Sequence, residues 1–183
     1  MTTSDHIYSE TDTGKNDFLS KTCIQWEQSY QDIKLLSDKN CIIRIGIVLS
    51  KDGGALRSLV SLFKTGLGSA IGSGNQYMPW IHETDLLNIF HESLFNAHFK
   101  GIYNAVSTES ATNYAFSEQL AKSLRKPFFV PKVPAFILKL ALGEMSGVLL
   151  EGSRVSNQKL IDSGFTFQFP LLSPALNELV TKK

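Results

Sequence analysis

The segment Cys41–Leu49, which reads Cys-Ile-Ile-Arg-Ile-Gly-Ile-Val-Leu, most constrains what this chain can fold into. It is apolar at both alternating sets of positions, apart from Arg44 and Gly46. A strand with one solvated face alternates apolar and polar residues, whereas a strand buried on both faces does not. The segment therefore predicts a buried strand of a parallel sheet, and such a strand expects a neighbour along each edge.

The flanking pattern supports an α/β arrangement. Asn16 or Asp17 caps a helix whose face carries Leu19, Cys23, Trp26 and Tyr30 and which ends near Leu36, followed by a turn at Ser37-Asp38-Lys39-Asn40. After Asp52-Gly53-Gly54, the residues Leu56, Leu59, Val60 and Phe63 define an amphipathic helix that Gly66 stops. Met78–Ile81 reads as a short strand, and Thr84 or Asp85 caps a helix over Asp85–Phe95 with Leu86, Ile89, Phe90 and Leu94 facing inward. Gly101–Val106 is another buried strand, and Thr112 caps a helix carrying Phe116, Leu120, Ala121 and Leu124. Alternating strands and helices predict a layered α/β fold.

Composition changes at Pro127. Three prolines fall between 127 and 134, with Phe128-Phe129-Val130 as a possible short strand. Pro134 opens an apolar helix over Ala135–Leu142 that Gly143 stops, Ser156 caps a short helix that Gly164 ends, and Ser173-Pro174 starts a last helix with Leu176, Leu179 and Val180 on its apolar face. Residues 1–15 are polar and read as a disordered or loop segment, 16–126 as the α/β part, and 127–183 as a small, mainly helical appendage.

A net charge of +1 over 183 residues leaves no basic field for nucleic acid. Cys23 and Cys41 have neither CxxC spacing nor a disulfide framework, and read as buried thiols in a reducing compartment. The longest apolar stretch, Phe128–Leu142, is interrupted by Lys132, Lys139 and two prolines, so no membrane span is expected. With a polar N-terminus and no signal peptide, the expected location is cytoplasmic. His91 and His98 lack carboxylate partners at metal spacing, so no metal site is expected.

The glycine-rich loop Gly66–Gly74, running on to Trp80-Ile81-His82, is the best candidate for a site wall. Its glycines permit a close approach of ligand or chain. Gly72, Ser73, Gly74 and Gln76 suit a hydroxylated, sugar-like substrate, although any loop carries such residues. Trp80 either stacks on a ring or packs in the core. His82, at a strand end facing the expected cleft, is either structural or titrates in a reaction. Arg44 meets either a phosphate or a nearby carboxylate.

The order Asn16-Asp17-Phe18-Leu19, Trp26-Glu27, Arg44-Ile45-Gly46-Ile47-Val48-Leu49, Asp52-Gly53-Gly54-Ala55, the glycine loop and Trp80-Ile81-His82 with Asp85 resembles the NAD(P)-dependent epimerase/dehydratase-like family of the extended short-chain dehydrogenases/reductases. Val133-Pro134-Ala135-Phe136, Leu142-Gly143-Glu144-Met145, Leu149 to Val155 and Gly164-Phe165 resemble the domain of unknown function appended to that family. The resemblance implies a Rossmann-like domain, with Gly46 beside the nicotinamide at the end of its sixth strand, and NAD or NADP as cofactor. It covers only the C-terminal half of such a protein. No G-x-G-x-x-G follows a strand here, so the N-terminal cofactor half is expected to be missing. The wider superfamily's Tyr-x-x-x-Lys pair lines up with Leu19 and Cys23, which cannot do its proton transfer. Tyr30 and Lys34 have the spacing but lie late in the helix, and Tyr8 is a poor stand-in, so the catalytic residues are unknown.

These readings imply a C-terminal fragment of an NAD(P)-dependent oxidoreductase or nucleotide-sugar epimerase for a small hydroxylated substrate, inactive alone and binding no cofactor tightly. The alternative is a non-catalytic interaction or regulatory module. Expected partners are the small substrate and either the missing half or a second copy, with no nucleic acid and no membrane.

Overall fold

A computed structural model describes residues 6–13, 18–34, 40–143 and 146–181. The isoleucine-rich segment forms two strands, β2 (Cys41–Ile45) and β3 (Ile47–Leu49), which follow β1 (Ile7–Tyr8) and helix α1 (Phe18–Lys34). Helix α2 (Gly54–Lys64), β4 (Tyr77–Met78), β5 (Trp80–His82), α3 (Glu83–Phe95) and β6 (Gly101–Ala105) come next. β2 pairs in parallel with β6, from Cys41 opposite Gly101 to Ile45 opposite Ala105. β3 pairs in parallel with β5, from Ile47 opposite Trp80 to Leu49 opposite His82. The chain changes partner at Gly46, whose N–H donates to the Ala105 carbonyl at 3.1 Å, while the Ile47 N–H donates to the Pro79 carbonyl at 2.7 Å. A Cβ on Gly46 would lie 2.5 Å from that Pro79 oxygen. Glycine is needed here because another backbone occupies the side-chain position.

The expected strand over Met78–Ile81 is divided at Pro79, which has no N–H for a ladder. β4 turns to pair antiparallel with β7 (Ala111–Thr112), ahead of α4 (Asn113–Ser123). The Thr112 hydroxyl accepts the Ala115 N–H at 3.2 Å, as its cap position demands. Helix α5 (Ala135–Leu142) starts after Pro134 and ends at Gly143, which has φ 57°. α6 (Ser146–Leu150), β8 (Arg154–Val155), α7 (Gln158–Asp162) and α8 (Leu172–Thr181) complete the chain. Phe128–Val130 is not a strand; instead Val133 bridges to Ile71.

Two cores result, and residues beyond 127 enter both. Leu49, Leu56, Phe63, Trp80, Phe116 and Leu120 pack with Leu172, Leu176 and Leu179 of α8. Ile81, Ile89, Phe99 and Tyr103 pack with Leu160 of α7, flanked by Phe165 and Phe167.

Several expectations change. Residues 6–13 form β1, paired in parallel with β8, and a turn. The cap at Asn16 or Asp17, the helix end near Leu36 and the turn over 37–39 lie outside the described residues. α1 exposes the face expected to be buried, with Leu19 52% and Trp26 72% accessible, because nothing among the described residues covers it. Cys23 on that face is also exposed. The helix over 83–95 starts earlier than expected, since the His82 ring and not Thr84 or Asp85 provides the cap. Its buried positions are Asp85 and Ile89; Phe90 and Leu94 face outward. The rotation has a cause: the Asp85 carboxylate accepts backbone N–H groups of Gln168 at 2.7 Å and Phe169 at 2.9 Å, so this side of α3 must face the C-terminal segment.

Candidate functional site

A cleft of about 690 Å³ opens between α1, the C-terminal end of β2 and the β1–β8 ribbon. Leu19, Cys23 and Trp26 form its helical wall, Ile45, Gly46, Pro79, Val106 and Val155 its apolar floor, and Tyr8, Ser9, Asp12, Thr13, Glu27, Arg44 and Asn104 its polar positions. Arg44 stands on β2 opposite Glu27 of α1. Its Nε and Nη2 donate to the two Glu27 carboxylate oxygens at 2.7 Å each, and its Nη1 donates to the Glu10 carbonyl at 3.2 Å. This two-pronged pair raises the Arg44 pKa further above its ordinary value, against the opposing effect of burial. Glu10 in turn accepts the Asn104 backbone N–H at 3.0 Å, and the Asn104 side chain donates to the Ser156 carbonyl. The network ties β1, α1, β2 and β6 around one end of the cleft.

Asp12 closes the turn at the cleft mouth. It accepts the Ser9 N–H at 2.7 Å, the Ser9 hydroxyl at 2.8 Å and a His6 ring nitrogen at 2.9 Å. The Ser9 backbone bond, then the Ser9 hydroxyl, lower its pKa to about 2. Burial pushes the Cys41 thiol up to about 11, with the Lys159 charge opposing. Burial, followed by the charge of Cys41, also raises the Tyr30 pKa.

Of the expected site residues, Gly46 and Arg44 line this cleft. Of the two partners considered for Arg44, the structure supplies the carboxylate. Gly72, Ser73, Gly74, Gln76, Trp80 and His82 do not line it; Gly74, Gln76, Trp80 and His82 are buried elsewhere, and Ser73 is exposed. The Gly72 N–H donates to the Val133 carbonyl, and a Cβ on Gly72 would meet Leu150 at 2.7 Å. The Ser73 carbonyl takes the Lys132 ammonium at 2.6 Å, and the Gly74 carbonyl accepts the Tyr114 N–H. Gln76 is buried and donates to the Ile71 and Leu149 carbonyls. Trp80 is buried, with its indole N–H on the Glu109 carbonyl at 3.0 Å. His82 faces no cleft: it is 2% exposed, accepts the Thr84 N–H through Nδ1, stacks on Phe169 and places Nε2 3.4 Å from Glu178. The glycine loop is thus a structural seam. Its backbone polar groups cannot stay unpaired inside the fold, and residues 130–133 and Asn113 supply the partners.

Leu19 and Cys23, the positions lined up with a Tyr-x-x-x-Lys pair, do sit on the cleft wall, and Tyr8 and Tyr30 also line it. The side chain of Lys34 lies outside the described residues. Glu27, Glu10 and Asp12 are site residues that sequence reasoning missed. The signal for Glu27 was Arg44 itself, since an arginine within an apolar strand needs a carboxylate. Among the described residues, Arg44 is the one cation lining the cleft, and Glu27 and the Glu10 carbonyl take three of its five N–H donors. Gly46, Pro79 and Val106 give the cleft an apolar floor beside this ion pair. Among the described residues, no group of three or more His, Cys, Asp or Glu side chains could hold a metal ion. Nor is any helix among them long and apolar enough to cross a membrane.

Residues 133–179 match a family model described as a domain of unknown function (DUF1731). A mouse epimerase family protein is 36% identical over 175 residues, covering 94% of this chain and 59% of that protein. A chloroplastic homologue from Arabidopsis thaliana is 34% identical over 178 residues, covering 95% and 50%. The crystal structure of a human epimerase family protein with NADPH superposes with a TM-score of 0.92 at 32% identity, covering 100% of this chain and 62% of that one. A nucleoside-diphosphate sugar epimerase from Corynebacterium glutamicum shares the fold at a TM-score of 0.73 and 24% identity. The chain spans 50–59% of the length of the first two relatives.

Proposed function

Since this chain belongs to an extended short-chain dehydrogenase/reductase-like family with a DUF1731 C-terminal domain, we propose that it forms the nicotinamide and substrate side of an NAD(P)-dependent epimerase or reductase. The cleft at the C-terminal end of β2 carries this reading. In α/β sheets, ligands sit beyond the carboxyl ends of the strands, and Gly46 marks that end here. NADPH is the first cofactor to test, because the human relative was solved with it. Thr13 brings a hydroxyl group suited to a small hydroxylated substrate.

In this reading the 183 residues bind dinucleotide weakly and turn over no substrate. They hold no G-x-G-x-x-G turn leading from a strand into a helix N-terminus, where a pyrophosphate would dock. Thermal-shift titration tests it. Nicotinamide mononucleotide should raise the melting temperature more than ADP does, and NADPH should not saturate at low micromolar concentration. A larger shift with ADP, or turnover of a nucleotide sugar by the isolated chain, would overturn the reading.

A second reading is a non-catalytic interaction module. It is favoured by the exposed α1 face, where Phe18 is 81% and Trp26 72% accessible. Under it, a protein pull-down gives a stoichiometric partner that the Trp26→Asp variant loses, and no nucleotide shifts the melting temperature.

A further inference from the structure

Another apolar surface lies on α5, none of whose described side chains lines the cleft. Phe136 is 69%, Ile137 45% and Leu140 88% exposed. At about 100° per residue these three share one arc of the helix, and Lys139 flanks it. The neighbouring sequence is mainly cationic, between Glu118 and Glu144. Residues 119–143 carry Lys122, Arg125, Lys126, Lys132 and Lys139 and no Asp or Glu, in a chain whose net charge is only +1. Lys122 pairs with Glu118 and the Lys132 ammonium is held by the Ser73 carbonyl, whereas Arg125, Lys126 and Lys139 form no ion pair among the described residues. Phe129, in the same stretch, is 77% exposed. The segment is fixed in place. The Val133 N–H donates to the Ala70 carbonyl, its carbonyl accepts the Gly72 N–H, and the Ser69 hydroxyl donates to the Pro131 carbonyl at 2.6 Å.

We propose that α5 and its cationic flank dock on an anionic phospholipid surface. Apolar side chains that enter the acyl boundary, next to lysines whose stems follow them while the ammonium groups meet phosphate, are the pattern of an interfacial helix. A protein partner fits less well. An eight-residue helix is only about 12 Å long, whereas a stable interface covers about 800 Å² per partner and its core is depleted of lysine.

The test is flotation of the full chain with phosphatidylcholine vesicles, with and without phosphatidylglycerol. Binding is expected only with phosphatidylglycerol, and should weaken as salt is added. The double variant Phe136→Asp with Leu140→Asp should bind more than about tenfold less tightly, with an unchanged melting temperature because both side chains are exposed. Lys139→Gln should lose about fivefold. Trp26→Ala, on the other exposed face, should bind as the parent does. Equal binding to neutral vesicles, no binding to anionic ones, or full binding by the double variant would overturn the proposal. So would light scattering that shows the double variant breaking a dimer of a chain that ignores vesicles.

Discussion

The chain has two tryptophans, and they sit in opposite environments. Trp80 is 1% exposed, packs among Leu49, Phe116 and Leu176, and donates its indole N–H to the Glu109 carbonyl. Trp26 is 72% exposed beside Phe18 and Leu19, over the wall of the cleft. On the Trp80 side, glycines, prolines and buried amides all serve internal contacts. On the Trp26 side, Arg44 pairs with Glu27 and Asp12 closes its turn on Ser9 and His6, while large apolar side chains face outward. Residue types that suggest a site therefore differ in meaning by side: the fold consumes those near Trp80 and leaves those near Trp26 available.

The sharpest test sets the two tryptophans against each other. Trp80→Ala should destabilise the fold by about 3–5 kcal/mol, whereas Trp26→Ala should change it by less than about 0.5 kcal/mol, both read from urea denaturation. A comparable loss for Trp26→Ala would mean that the α1 face is covered in solution, as by a second copy. Asp85→Asn comes next, at about 2–3 kcal/mol. An amide cannot accept from both Gln168 and Phe169 without turning an N–H towards one of them. Faster amide exchange at those two residues would locate the damage in the strap between α7 and α8.

Gly46→Ala sits on the border between the two sides and should cost about 1–3 kcal/mol. The new methyl would press on the Pro79 carbonyl, which is backbone and cannot rotate away. Gly53→Ala is its control, since nothing lies within 4 Å of that Cβ and its φ of −166° is ordinary extended backbone. Equal effects at the two glycines would remove the reason given for the partner change at Gly46.

Much of the interior is legible in the sequence alone. Thr112 at a cap and Pro134 and Gly143 around α5 are local signals, and local chemistry decides them. The apolar run does give the strands β2 and β3, but β2 is half-buried with Ile45 48% exposed, and each strand has one paired neighbour among the described residues. The site is less legible because its geometry depends on distant pairs. Nothing local in His82 or Gln76 distinguishes a ligand contact from a buried bond to Glu178 or Leu149, which lie far along the chain. The face of α1 misleads for a related reason. Periodicity shows which residues share a helix face, but not whether anything covers it. The prolines and lysines that interrupt Phe128–Leu142 exclude a span, yet the same lysines flank the α5 surface.

The smallest expected effect concerns the turn that borders the cleft. Asp12 is held at a pKa of about 2, chiefly by the Ser9 N–H and next by the Ser9 hydroxyl. A carboxylate whose folded pKa is depressed adds stability above its ordinary value of 3.8, and that contribution is lost as pH falls through about 2. The side chain is solvent-facing, so the readout is its own carboxyl carbon in an NMR titration and not global unfolding. Ser9→Ala removes the hydroxyl and leaves the stronger backbone bond, so the midpoint should rise but stay below 3.8. His6→Ala should raise it less, since that contact ranks after both bonds from Ser9. A midpoint near 3.8 in the parent chain would mean that the turn is open in solution. The cleft mouth would then share the openness of the α1 wall instead of being fastened by β1 and its turn.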